Sequence, residues 1–375
     1  MPLYTSFMRE SVLRRLSSYR VAATAAVAVS AMLLTACGSD NKSTATPGSS
    51  GSTGSSSSGG GAGSSGLKIG MAYDIGGRGD KSFNDAAAAG LDDAKKKYNL
   101  AATDTKELEA AQGEAEADKE ARLTQLADNG FTTIIAVGFA YADAVKAVVS
   151  KYPNVKFAII DDNSVQAPNL ADLTFAEEQG SFLVGAIAAL KSTKHHVGFI
   201  GGVNVALIHK FQAGFDAGAK AADPSVKIED RYLTQPPDFG GFNDPTKGET
   251  AANGIYDAGA DVIFAAAGGS GSGVFKAAKA KGAKAIGTDS DQYLSAAPDV
   301  KDVIISSMLK RVDVAVGKFI DSVKDGSFKA GNTIFDLKAG GVDYSTSGGK
   351  IDDIKSKIDD FKAKIIDGTI KVPTK

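Results

Sequence analysis

Carboxylates, glycines and aromatic residues recur where short apolar runs stop. Asp74 follows Ile69 to Tyr73, and a glycine loop (Gly76, Gly77, Gly79) then leads through Asp80, Ser82, Phe83 and Asn84 into an alanine-rich segment. Asp161 follows Val155 to Ile160. Phe242 comes a short loop after Val226 to Leu233, Gly268 follows Val262 to Ala265, and Asp289 follows Lys284 to Gly287. In an open α/β sheet, ligands bind outside the carboxyl ends of the strands, so these residues would line one crevice with charged hydrogen-bond acceptors. The same stretches also fit ordinary βα connections with a Ser or Asp helix cap. The first loop is not a dinucleotide fingerprint, because Ser82 stands where the third glycine should be. A Walker Gly-Lys-Ser/Thr and a Gly-x-Ser-x-Gly elbow are absent, and no nucleophile–base pair can be deduced.

The intervening segments supply the frame. Asn84 to Tyr98 reads as a helix, and Thr105 to Gly130 as mostly helical by its Ala, Glu, Lys and Leu spacing. Thr133–Val137, Val155–Ile160 and Leu173–Phe175 read as buried strands, with helices near 142–150 and 179–191. The cycle restarts at Val197–Ile200 and runs through strands at 226–233, 262–265, 284–287 and 303–305. Met308 to Val323 and Ile351 to Ile366 read as amphipathic helices. Alternation of this kind implies parallel sheets with helices on both faces, here as two doubly wound lobes whose strand ends face a shared cleft.

The first residues are an export signal rather than part of the fold. Arg9, Arg14, Arg15 and Arg20 form a basic start, and Val21 to Leu34 an apolar stretch of signal length. Leu34-Thr35-Ala36-Cys37 resembles the bacterial lipobox, in which cleavage precedes the cysteine and its thiol is acylated; a plain secretory signal is the alternative. Cys37 is the single cysteine of the chain. Residues 1–36 are therefore expected to leave, and 37–66, a lipidated cysteine with a Ser/Gly-rich leash, to tether the body about 30 Å from a membrane. Loss of four arginines and one glutamate moves the formal charge from −2 to −5. That balance argues against nucleic-acid binding. With three histidines and no free thiol a zinc site is not expected, and nothing calls for a cofactor.

The stretch from Asp74 to Asn84, Gly201-Gly202 with Phe211-Gln-Ala-Gly-Phe215, Gly268-Gly269, Thr288-Asp289-Ser-Asp291-Gln292 and Lys310-Arg311-Val312 together resemble the basic membrane protein family of lipoproteins, the substrate-binding proteins of nucleoside-importing ABC transporters. The resemblance covers residues 67–375. It implies an α/β type I periplasmic-binding-protein fold, two doubly wound parallel-sheet lobes joined by a three-strand hinge. The first lobe would comprise 67–176 plus 308–330, and the second 177–307 plus 331–375.

By the same resemblance, Phe83 and Phe242 would stack on the two faces of a purine, and Asp74, Asn84 and Asp161 would read the base edge. Asp289, Gly268 and Lys310 would hold the ribose hydroxyls, and Ser82 counts among the ligand-binding residues from its place in the first loop. Phe239 is an alternative to Phe242, and Asp162 to Asp161. The implied partners are a nucleoside, an ABC permease and the membrane through Cys37, on the extracytoplasmic face, without catalysis. The rival readings are a secreted nucleosidase using clustered carboxylates, the same fold with a sugar or other small metabolite, and a sensor lipoprotein.

Overall fold

Eight short runs rich in apolar residues, each almost wholly buried, form the centres of two sheets. Parallel strands covered on both faces need such continuous apolar sequence. A computed structural model describes residues 66–375; the leader, Cys37 and the leash to residue 65 lie outside the described residues. Among the described residues no helix is long and apolar enough to cross a membrane.

The first half runs β1 (Ile69–Tyr73), α1 (Phe83–Lys97), β2 (Thr105–Glu109), α2 (Glu116–Asp128), β3 (Thr133–Ala136), α3 (Ala142–Val148), β4 (Lys156–Ile160), β5 (Leu170–Phe175) and α4 (Glu177–Lys191). The second runs β6 (His196–Val203), α5 (Ala206–Ala222), β7 (Lys227–Thr234), α6 (Pro245–Asp257), β8 (Val262–Ala266), α7 (Gly271–Lys281), β9 (Lys284–Asp289), α8 (Gln292–Ser295) and β10 (Ile304–Lys310). The chain closes with α9 (Val312–Asp325), β11 (Gly331–Phe335), β12 (Val342–Tyr344) and α10 (Lys355–Ile366). One sheet has the order β11-β5-β4-β3-β1-β2 and the other β12-β10-β9-β8-β6-β7. Every pairing is parallel except that of β10 with β12.

Three expectations need correction. Thr105 to Glu109 is a strand, in register with β1 from Ile69↔Thr105 to Tyr73↔Glu109. Its charges look helical, but at a sheet edge they make pairs: Glu107 accepts from Tyr73 Oη (2.6 Å) and Lys95 Nζ (2.7 Å). Met308 to Lys310 is also strand, not helix, and lies in the second sheet rather than with the first lobe, because it pairs on both sides, Met308 with Thr288 and Tyr344. Finally, β11 adds to β5, from Gly331↔Ala171 to Phe335↔Phe175, so residues 331–335 belong with the first sheet. A parallel partner for β5 must approach from the open edge of that sheet, which local sequence cannot specify.

The chain crosses between the sheets at Ala176, at Arg311 and through 336–341. The crossings are tied to one another. Ala176 N donates to Phe335 O (3.1 Å), Arg311 N donates to Gly341 O (2.8 Å), and the Phe175 and Phe335 rings stack with centroids 5.3 Å apart. The carboxyl ends of β1, β3, β4, β8, β9 and β10 converge between the two lobes.

Candidate functional site

The β1–α1 loop builds one wall. The half-buried Asp80 carboxylate accepts from the backbone N–H groups of Ser82 (2.9 Å), Asn84 (2.8 Å) and Asp85 (3.1 Å), so it caps α1 in place of Ser82. Asn84 Oδ1 accepts from Asp74 N (3.1 Å), while Nδ2 donates to Ile75 O (3.2 Å) and Asp80 Oδ2 (3.1 Å). The amide of Asn84 thus locks the loop and leaves Asp74 and Phe83 to face the cleft.

Asp161 and Asp289 end β4 and β9 in the left-handed region, at φ 69° and 63°. Asp tolerates this conformation better than most residues, yet it still costs about 1–3 kcal/mol and turns each side chain out of its strand. The two carboxylates come from opposite lobes, and Lys310 stabilises the ionised form of both. Lys310 Nζ donates to Asp161 Oδ2 (2.5 Å), and its side chain is only 2% exposed. Three phenyl rings surround the ammonium: Phe83 at 5.1 Å, Phe175 at 5.1 Å and Phe211 at 5.5 Å from their centroids. A desolvated cation held over aromatic faces gains about 2 kcal/mol or more.

Asp161, Asp289, Lys310, Phe83 and Phe211 line one cavity between the lobes. Of the expected residues, Asp74, Phe83, Asn84, Asp161, Phe242, Gly268, Asp289 and Lys310 line it. Ser82 does not. It is buried behind Asp289 and donates Oγ to Asp289 Oδ2 (2.6 Å), a bond between lobes. Ser290 Oγ to Ser82 O (2.9 Å) and Gln292 Nε2 to Lys81 O (3.0 Å) close the same seam. Phe242 lies in the cavity, whereas Phe239 lines a neighbouring one; Asp162 is turned away, accepting from Ser164. Phe242 rests on bare backbone at Gly202, where a Cβ would come 2.4 Å from the ring.

Residues to which the sequence assigned no ligand contact also line the cavity: Asp80, Gly138, Phe139, Leu207, Ile208, Phe211 and Thr288 among them. Phe139 follows a buried strand and Gly138, the same strand-end pattern that marks Asp74 and Asp161, so it could have been found. Its ring meets that of Phe242 edge-on, with centroids 6.5 Å apart. Phe211 and Ile208 come from a helix face and carry no such signal.

Burial pushes the carboxyl groups of Asp74 and Asp161 up to about 6 and that of Asp289 up to about 7. Lys310 and the Ser82 hydroxyl oppose the rise at Asp289, while Asp80 and Asp161 add to it. For Lys310 itself burial disfavours the ammonium, but Asp161, Glu177 and Asp289 outweigh that and hold its pKa above the ordinary lysine value. Asp161 Oδ1 and Thr288 Oγ1 are buried without a partner among the described residues. Such atoms are expensive to leave unpaired, so the arrangement is made to receive hydrogen bonds from a ligand.

Residues 67–375 match the family model Bmp, ABC transporter substrate-binding protein PnrA-like. The chain belongs to this family. A CD4+ T-cell-stimulating antigen of Listeria innocua is 34% identical over 83% of this chain and 89% of its own. The ABC transporter nucleoside-binding protein BmpA of Lactococcus lactis is 32% identical over 82% and 90%. Among solved structures, an ABC transporter solute-binding protein of Aeropyrum pernix superposes with a TM-score of 0.70 at 28% identity, over 82% of this chain and 94% of its own. This Bmp protein thus has the two-lobed type I periplasmic-binding-protein fold of a substrate-binding component of an ABC transporter.

Proposed function

We propose that this Bmp protein captures purine nucleosides by closing its lobes on them and delivers them to the permease of an ABC importer, held at the extracytoplasmic face of the cell membrane by a lipid on Cys37 and breaking no bond in the ligand. The observation that carries this reading is that Phe83 of one lobe and Phe242 of the other line the same cavity as Asp289 and Lys310. A nucleoside offers a flat π-system and a vicinal diol. Base–aromatic stacking contributes about 1–3 kcal/mol per base, and a carboxylate accepting ribose hydroxyls makes charge-assisted hydrogen bonds. Asp74 and Asp161 take the base edge, with Asn84 holding Asp74 in place. Asp289, Gly268 and Lys310 take the ribose, and Ser82 orients Asp289. Three acidic side chains repel a phosphate, so nucleosides rather than nucleotides fit.

Isothermal titration of the purified protein with guanosine, inosine and adenosine tests this; binding of at least one, with no binding of the corresponding nucleotide, is expected, and heat from none of them sinks the nucleoside reading. Asp289→Ala should weaken binding at least about tenfold, the loss of one hydrogen bond to a charged group. The accepting form of Asp289 is the ionised one. Its raised value near 7 means that affinity is full only well above pH 7 and declines as the pH falls through it. Asp74 and Asp161 titrate lower, near 6, so Asp289→Ala should erase the part of the decline between pH 7 and 6 and keep the part below. An unchanged profile would remove Asp289 from the site.

A further inference from the structure

Glu177 is the first residue of α4, one step past the Ala176 crossing, and its side chain is 1% exposed. It does not line the cavity. One carboxylate oxygen lies 3.2 Å from Lys310 Nζ; the other is paired with Lys210 Nζ of α5. Lys210 also donates to Phe175 O (2.6 Å), the last carbonyl before the crossing. The result is a line of alternating charge, Asp161–Lys310–Glu177–Lys210. It starts in the first lobe, passes the cavity floor at Lys310, and ends on a helix of the second lobe while gripping the hinge backbone. Glu178 lies 3.8 Å from Lys210 and adds a second carboxylate at the same place.

A buried ion pair seldom repays its desolvation as stability alone, and an apolar pair of similar volume often does as well. What an ion pair supplies in addition is a fixed direction. Lys310 is an unbranched chain with three rotatable donors and would otherwise follow Asp161 alone, a residue of the opposite lobe that moves relative to it when the cleft opens. Glu177, anchored to Lys210 and to the start of α4, stays with Lys310 on the second-lobe side of the crossing.

We infer that Glu177 is a positioning residue for ligand capture: it holds the Lys310 ammonium at the cavity floor and ties its place to the hinge. This rests on the nucleoside reading above for the ligand, but not for the geometry. The test is a double-mutant cycle on the purified protein, titrated with inosine and guanosine. Glu177→Gln should weaken binding about tenfold, in the range of couplings between residues in contact. Lys310→Met should weaken it about a hundredfold, and the double variant no further than Lys310→Met alone. Additive losses, or a Glu177→Gln protein that binds like the wild type, overturn the inference, since a merely structural carboxylate would not depend on the presence of Lys310. A ligand-free readout accompanies the cycle: the ammonium signal of Lys310, whose side chain is 2% exposed, in ¹H–¹⁵N spectra. Glu177→Gln should shift or broaden that signal, and an unmoved signal rejects the positioning role even if Lys310→Met does not fold. If the wild type binds neither nucleoside, the nucleoside reading fails while this spectrum still decides the role of Glu177.

Discussion

Lys310→Met is expected to cost about 3–5 kcal/mol of folding stability, because it removes the cation and leaves buried carboxylates uncompensated. Asp161 and Glu177 both lie within ion-pair distance of Lys310, and both are almost fully buried. The loss should depend on pH in a definite direction. Lys310 holds down the pKa values of Asp161 and Asp289, which burial has already raised to about 6 and about 7. Without it both rise further. A carboxyl whose folded pKa exceeds its unfolded value binds its proton more tightly when folded, so it favours the fold at low pH and penalises it as the pH rises. Urea unfolding at pH 8 should therefore show a larger difference between Lys310→Met and the wild type than at pH 5. Equal differences at the two pH values would mean that the carboxylates are not electrostatically coupled to Lys310.

A comparable loss is expected at a position that touches no ligand. Helices α4 and α5 cross backbone against backbone: a Cβ at Gly218 would stand 1.9 Å from Phe182 O, one at Gly214 2.2 Å from Glu178 O, and one at Gly185 2.1 Å from Phe215 O. No rotamer relieves a clash with a carbonyl, so the helices must separate. Gly218→Val should destabilise by about 3 kcal/mol or more, at or above the usual upper end for overpacking. It should also weaken ligand binding, since α5 carries Phe211 and Lys210 and α4 begins at Glu177. The control is Gly254→Ala on α6, where nothing lies within 4 Å of the added methyl. There the better helix propensity should stabilise by about 0.5–1 kcal/mol. Thermal melts of the two variants separate the explanations: if Gly218→Val melts like the wild type, the close helix crossing is not real.

Much of the site is written locally. A strand that ends in Asp before a polar loop is a pattern of adjacent residues, and it marks Asp74, Asp161 and Asp289 without knowledge of the fold. All three lie at the cavity. The pattern fails where charge and propensity compete with pairing. Thr105–Glu109 looks helical because Glu and Lys favour helices, but an edge strand beside β1 can spend those charges on Tyr73, Arg78 and Lys95. Met308–Lys310 completes a helical period with the residues that follow, yet two neighbouring strands claim it first.

Alternating strands and helices, with polar residues at the strand ends, determine an α/β protein with a crevice at those ends, because turn chemistry and hydrophobic period act over a few residues. Other features depend on residues far apart in the chain meeting in space. The Ser82–Asp289 bond joins positions 207 apart, and Lys310 finds Asp161 at a separation of 149. Glu177 and Phe211 acquire their places only when α4 and α5 close on each other through their glycines. Which sheet receives β11 is settled by the free edge beside β5. Long-range partners are chosen by what remains exposed after local structure forms, and that choice is made by packing, not by any short stretch of the chain.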